Sequence, residues 1–233
     1  MNKEKIDLLA KIAVEFGLTI EEVIAAWQKE TYSPSKGWIA PPIINPNFGE
    51  DDIRSRVDIG WYAFAGGHFS PNKDAYPNCQ GVIGIINDDP TAKEGNRVKV
   101  VLRHQKELKW CEKIIYTGVI DVNNGKENTR RLLEFGKKKG IKFPAMAFAQ
   151  DYAFDGVKAG EAYVPARDEL KELSKNFKVI DDALNQIGSS FDDWYWSSSE
   201  LTNFFAWSVR SGGGNVNNTY KYASYAVSFL IDY

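Results

Sequence analysis

The order in which patterns follow one another along the chain predicts an α+β fold. Strand-like segments come first, at 58–65, 81–86 and 97–103. Helical periodicity then runs from about 128 to 188, and strand-like alternation returns from Trp194 to Tyr233. Segregated runs of strands and helices, without strict βαβ alternation, indicate α+β packing in which the final strands return to the first sheet. Size agrees: 233 residues, 43% hydrophobic and 26% charged, suit one large or two small domains with a real core.

Residues 3–30 read as a helical hairpin. Ile6, Leu9, Ala10, Ala13 and Val14 fall at helical spacing, and Gly17 is placed to end that helix. Thr19 and Glu22 form a capping box for a second helix, with Ile20, Val23, Ile24 and Trp27 on its apolar face. Glu21, Glu22 and Glu30 give that helix the wrong sign for DNA, so a packing appendage is expected. Residues 31–57 read as a linker, because Pro34, Pro41, Pro42 and Pro46 favour extended chain.

Gly81–Ile86 is a short apolar run of the buried-strand kind, and Arg97–Arg103 alternates around Val98, Val100 and Leu102. Asn128 or Thr129 is expected to cap a helix carrying Leu132, Leu133 and Phe135 and ending near Gly140. Pro144 opens another helix through Phe148 and Tyr152. A helix from Ala166 carries Leu170, Leu173 and Phe177, and its continuation, 179–187, stops at Gly188.

The bulk properties exclude several classes. A net charge of −2 provides no footprint for nucleic acid. No window reaches the apolar length of a membrane span, and the charged start is not a signal core. Cys79 and Cys111 are too few for a disulfide scaffold; one bridge would be conceivable, but buried free thiols are expected.

The last forty residues carry the most information. Trp194-Tyr195-Trp196-Ser197-Ser198-Ser199-Glu200 opens them; Trp207, Val209, Val216, Val227 and Phe229 recur as apolar anchors. Between the anchors lie Asn, Ser, Gly, Thr, Tyr, Phe and one Arg, a mixture like that of antibody contact surfaces. Alternation predicts Trp207 and Val209 inward, Ser208 and Arg210 outward. The plainer reading is a polar, Gly-rich pair of edge hairpins with no ligand.

Several segments, in order, resemble the variable proteins of diversity-generating retroelements and a related paralogous-domain family of gut bacteria and their phages. Val82-Ile83-Gly84-Ile85-Ile86-Asn87 and Val98-Lys99-Val100-Val101-Leu102 resemble the paired strands ahead of the helices. Asp121 to Thr129 resembles the family's D-x-x-N-G-x-x-N-T segment, and Gly160 to Leu170 its G-W-Y-L-P-S-x-x-E-L segment, with Ala162 in place of the usual Trp. Trp194–Glu200 resembles Y-W-S-S-S-E; Ala206-Trp207 and Gly214-Asn215-Val216 resemble the variable region, and Ser228 stands where an Arg is common. The resemblance spans roughly 58–233.

It implies a C-type-lectin-like fold of twisted antiparallel sheets with two main helices, here preceded by the helical hairpin. It also implies a ligand-binding surface within 194–233, rewritten by an error-prone reverse transcriptase acting on adenines of AAC-type codons. Residue types reachable that way stand at Leu201, Asn203, Phe204, Phe205, Ser208, Arg210, Ser211, Gly212, Gly213, Asn215, Asn217, Asn218, Thr219, Tyr220 and Tyr222. The ligand contacts expected are Leu201, Asn203, Phe204, Phe205, Ser208, Arg210, Gly212, Asn215, Asn217, Asn218, Tyr220 and Tyr222, with Phe204, Phe205, Tyr220 and Tyr222 as aromatic hot spots, one of the two Phe packing inward, and Arg210 as charged anchor.

The implied role is a non-enzymatic receptor-recognition protein, a phage-tail or surface-displayed adhesin, in the virion or at the cell surface. Its partner would be a protein or glycan on a host or partner cell; the N-terminal hairpin would serve a homo-oligomer or a virion partner. No catalytic residue, metal or cofactor is expected. His68 and His104 lack metal-ligand spacing. Asp121, Asn123 and Glu127 suit a helix-capping turn better than a calcium loop. Glu161 and Glu169 sit near a helix start, where acids are favoured. The alternatives are an enzyme of the formylglycine-generating, sulfatase-modifying type, whose reactive cysteines have no counterpart at Cys79 and Cys111, and a paralogous-domain protein with a fixed C-terminus.

Overall fold

The structure, a computed structural model, describes residues 57–89, 91–92 and 95–233. The expected N-terminal hairpin (1–30) and all but the end of the linker lie outside the described residues. Val57, assigned to the linker, is buried with the core.

Two five-stranded sheets and four helices make up the described part, so the architecture is α+β. The first sheet joins β1 (Tyr62–Phe64), β2 (His68–Ser70), β3 (Cys79–Ile86), β4 (Val98–Leu102) and β10 (Leu230–Asp232), in the order β10-β4-β3-β1-β2. The second joins β5 (Lys106–Lys109), β6 (Trp194–Glu200), β7 (Phe205–Arg210), β8 (Val216–Tyr220) and β9 (Ser224–Val227), in the order β5-β9-β6-β7-β8. Every strand pairing is antiparallel except β6 with β9. The expected return of the C-terminus to the first sheet is made by β10 alone, because the chain changes sheets at the buried pair Ser228-Phe229.

The helices are α1 (Gly125–Lys139), α2 (Pro144–Gln150), α3 (Arg167–Lys175) and α4 (Phe177–Gln186). Helix α1 starts earlier than Asn128 or Thr129 would allow. Asn124 is the N-cap, its side chain accepting the Glu127 N–H at 3.0 Å, and Asp121 Oδ1 accepts the N–H groups of Asn123 and Asn124 in the turn before it. Asn128 and Thr129 are instead buried ties. Asn128 donates to Asp121 O at 2.7 Å, and Thr129 Oγ1 accepts the Val164 N–H at 3.0 Å. Gly125 is required by a close approach. A Cβ there would stand 2.5 Å from Val164 O and from a Glu169 carboxylate oxygen. Gly140, at φ 64°, closes the helix in the left-handed conformation.

Pro144 occupies the first turn of α2, where its missing N–H costs nothing. Helix α3 touches β3 of the first sheet and β6 and β7 of the second, so Leu170 and Leu173 join Val82, Val101, Tyr195 and Val209 in one core. A larger core gathers Trp110, Leu132, Met146, Trp196 and Phe229 around α1 and α2. Both cysteines are free, Cys111 buried and Cys79 half-buried.

Candidate functional site

The frame of the C-terminal region is the Trp194–Glu200 segment. Between Trp196 and Glu200 the register with β7 slips, and the serines turn from the ladder to other partners. Ser197 Oγ donates to Trp207 O at 2.8 Å and Ser198 Oγ to Pro165 O at 3.1 Å; Ser199 Oγ donates to Asp121 O at 2.6 Å and accepts the Arg167 N–H at 3.1 Å. All three serines are sealed from water. They stitch β6 to β7, to the start of α3 and to the turn before α1, which accounts for small hydroxyls in a strand otherwise built of aromatics.

Beyond them Glu200 and Lys221 form a buried ion pair. Glu200 also accepts from the N–H groups of Thr117 and Gly118 and from Thr117 Oγ1, at 2.7–2.9 Å. Lys221 Nζ also donates to Ile115 O at 2.8 Å and lies 4.6 Å from the centre of the Trp110 ring. Burial pulls the Lys221 ammonium below the ordinary lysine value, against the opposing hold of Glu200. The pair ties the 110–119 segment to both ends of the β7–β8 hairpin. The sequence reading gave neither residue a role. The signal was there: if Tyr220 and Tyr222 point outward, Lys221 between them points inward and needs an anion.

The outward surface is built on this frame. Asn203, Phe204, Arg210, Gly212, Asn215, Asn217, Asn218, Tyr220 and Tyr222 are exposed, and Leu201 and Phe205 are half-buried. Phe205 and Tyr220 are cross-strand partners with ring centres 4.5 Å apart, and Tyr222 follows Tyr220 at 5.2 Å. Phe204 stands 6.4 Å from Phe205 at the rim. Phe204, Tyr220 and Tyr222 are 43%, 48% and 53% exposed, so an aromatic ridge faces solvent. Arg210, expected as a charged anchor, is exposed and donates to Asp193 Oδ1 at 2.6 Å. At the hairpin tip Gly214 has φ +66°, and a Cβ on it would meet Ser174 Oγ of α3 at 2.4 Å. Thr202 Oγ1 accepts the N–H groups of Phe204 and Phe205, shaping the opposite loop.

Three placements correct the sequence reading. Ser208, expected outward, is fully buried, with its hydroxyl 2.9 Å from Thr219 Oγ1. Thr219 is buried as well. Strand β7 lies inside its sheet, and Ala206 and Ser208 share the face that is buried toward the larger core, so the side assigned to solvent is a covered one. Trp207, expected as a fully inward anchor, is half-buried, with the Arg167 guanidinium 5.3 Å from its ring centre. Phe205, Trp207 and Val209 share one face. Helix α3 covers Val209 with Leu170 and Leu173, reaches Trp207 only with its first residue, and leaves Phe205 to Tyr220. Val216, expected as an anchor, is 38% exposed on the edge strand β8.

The other residues weighed in the sequence have structural partners. His104 Nε2 lies 3.0 Å from Asp155 Oδ2, and Arg103 grips the same carboxylate through two 2.7 Å bonds. Among the described residues no helix is long and apolar enough to cross a membrane.

No protein-family profile matches the sequence, and no curated protein matches it. In fold, the chain is similar to the crystal structure of a fimbrial protein from Bacteroides ovatus ATCC 8483, with a TM-score of 0.63 at 15% identity. The match covers 76% of this chain and 49% of the other, so the chain spans about half the length of that neighbour.

Proposed function

We propose that this is a C-type-lectin-like variable protein of the diversity-generating-retroelement kind, which recognises a protein or glycan on a host or partner cell through its C-terminal surface. The observation that carries the reading is the division within 194–233. A hydroxyl stitch and a buried ion pair fix the backbone, while an aromatic ridge and the exposed Asn203, Asn215, Asn217 and Asn218 project from it. Tyr and Phe supply rigid contact area at low entropy cost, and Asn supplies adaptable hydrogen bonds. The fimbrial name of the structural neighbour is in keeping with display at a cell or virion surface.

Ser208 is removed from the contact set by its burial, and Thr219, of a reachable type, is buried beside it. The contacts are then Asn203, Phe204, Phe205, Tyr220 and Tyr222, flanked by Arg210, Asn215, Asn217 and Asn218, with Leu201 and Gly212 at the rims.

The gene provides the first test. Codons at the exposed positions should end in C or T, opposite an adenine-rich template repeat beside a reverse transcriptase gene; codons ending in A or G throughout would end the retroelement reading. Adsorption to partner cells provides the second. Tyr220→Ala with Tyr222→Ala should weaken it at least about tenfold, the scale of aromatic hot spots, while the circular dichroism spectrum stays unchanged. Undiminished adsorption would contradict the role of the ridge.

A further inference from the structure

Where β10 meets β4, Lys99 and Asp232 stand directly opposite each other in antiparallel register. Lys99 Nζ is 3.0 Å from Asp232 Oδ1 and 3.3 Å from Glu169 Oε1. Tyr163 Oη donates to Asp232 Oδ1 at 2.5 Å and accepts from Lys99 Nζ at 2.9 Å. Asp232 Oδ2 is 3.2 Å from Lys126 Nζ, and Lys99 Nζ also reaches Asn96 Oδ1 at 3.4 Å. Little water reaches the group: the side chains of Lys99, Glu169 and Asp232 are 15%, 8% and 6% exposed.

An amine, a carboxyl group and a second carboxyl group, held together with little solvent, are the components of amide condensation. We propose that Lys99 and Asp232 join in an intramolecular isopeptide bond, with Glu169 as the proton carrier and Tyr163 as the hydrogen-bond donor to the developing oxyanion. The Lys99 ammonium passes a proton to Glu169 Oε1, and the freed Nζ lone pair attacks Asp232 Cγ. The Tyr163 hydroxyl stabilises the negative oxygen of the tetrahedral intermediate. Glu169 returns its proton to the departing Asp232 oxygen and carries the second Nζ proton to it as well. One C–N bond forms, one C–O bond breaks, and one water leaves; no oxidant or cofactor is consumed. The fixed neighbours replace the diffusional encounter that makes such a condensation unfavourable in water.

The resting charges set the pace. Burial draws the Lys99 ammonium down, but the carboxylates of Asp232 and Glu169 outweigh it and hold the group above the ordinary lysine value. Burial also pushes the Glu169 carboxyl up, despite the pull of Lys99 and of the Ala166 and Gly125 N–H groups, which suits it to accept a proton. Condensation is therefore a slow maturation after folding, and its product locks the last strand to β4.

Intact-mass measurement of the purified full chain decides the matter. The expected result is a mass about 18 Da below that of the linear sequence, for the one water released, with a digest fragment joining the peptides of Lys99 and Asp232. Lys99→Arg and Asp232→Ala should restore the linear mass. Glu169→Gln, which keeps an oxygen for the Ala166 and Gly125 N–H groups, should restore it or delay the loss. A wild-type mass equal to the linear value after prolonged incubation at 37 °C, or an 18 Da loss mapped to other residues, overturns the proposal. Condensation of Glu169→Gln at the wild-type rate overturns the proton-carrier role. The wild-type measurement stands even if a variant fails to fold.

Discussion

Lys221 and Glu200 face each other with almost no access to water, and this shapes how the C-terminal region tolerates change. Replacing Lys221 by Met leaves the Glu200 carboxylate buried without its counter-ion, and we predict a loss of about 3–5 kcal/mol in urea unfolding. Adding Glu200→Gln should recover part of that loss, because the stranded charge is removed; a single variant as stable as wild type would show that the pair is dispensable. Cys79 makes a separate prediction. Burial pushes its thiol up to about 11, with a backbone hydrogen bond at Gly81 and the charge of Arg103 working against the rise. A raised value means that the folded state holds the proton longer. The contribution of the thiol to stability is therefore intact below the ordinary value near 9 and is lost as pH climbs through about 11. Native protein near pH 8 should react with iodoacetamide at Cys79 much more slowly than urea-unfolded protein, and Cys79→Ala should flatten the alkaline loss of stability. Equal alkylation rates in the two states would contradict the burial argument.

At the scale of elements, the segments first noticed as motifs turn out to be joints. Asp121 to Thr129 holds an Asx turn, a cap, a close approach at Gly125 and two buried ties. Gly125→Ala should cost about 1–3 kcal/mol through overpacking against Val164 and Glu169. Ser199→Ala should cost about 1–3 kcal/mol by leaving the Arg167 N–H unpaired and removing one of the two donors to the Asp121 carbonyl, which Asn128 still holds. Thermal unfolding checks both, and a Gly125→Ala variant with an unchanged midpoint would mean that α1 can shift away. Strong local signals made several elements legible in the sequence. Gly140, Pro144 and Ala166 marked helix ends, and the apolar run at Gly81–Ile86 marked β3. Strands β2 and β5 were missed because His68–Ser70 is short and Lys106–Lys109 is charged and exposed; β2 completes a local hairpin with β1, whereas β5 is defined by β9, far along the chain. The cap at Asn124 was missed because Asn128 and Thr129 offered equally good cap chemistry.

Across the whole molecule, the α+β class and the position of the exposed surface were legible, because the order of patterns and the polar-aromatic composition after Trp194 are local properties. The face of each side chain in β7 was not. Burial of Ser208 depends on the core that covers its face of the strand, and partial exposure of Trp207 depends on where α3 begins. The central claim is that residues 194–233 divide into a fixed frame and a free surface. A library of single substitutions across this stretch, sorted by resistance to trypsin, measures that division position by position. The prediction is that Asn203, Phe204, Asn215, Asn217, Asn218, Tyr220 and Tyr222 accept most polar residues within about 0.5 kcal/mol of wild type, while Ser197, Ser198, Ser199, Glu200, Ser208 and Lys221 accept few. If the first group proved as intolerant as the second, there would be no free surface, and the display role would be contradicted.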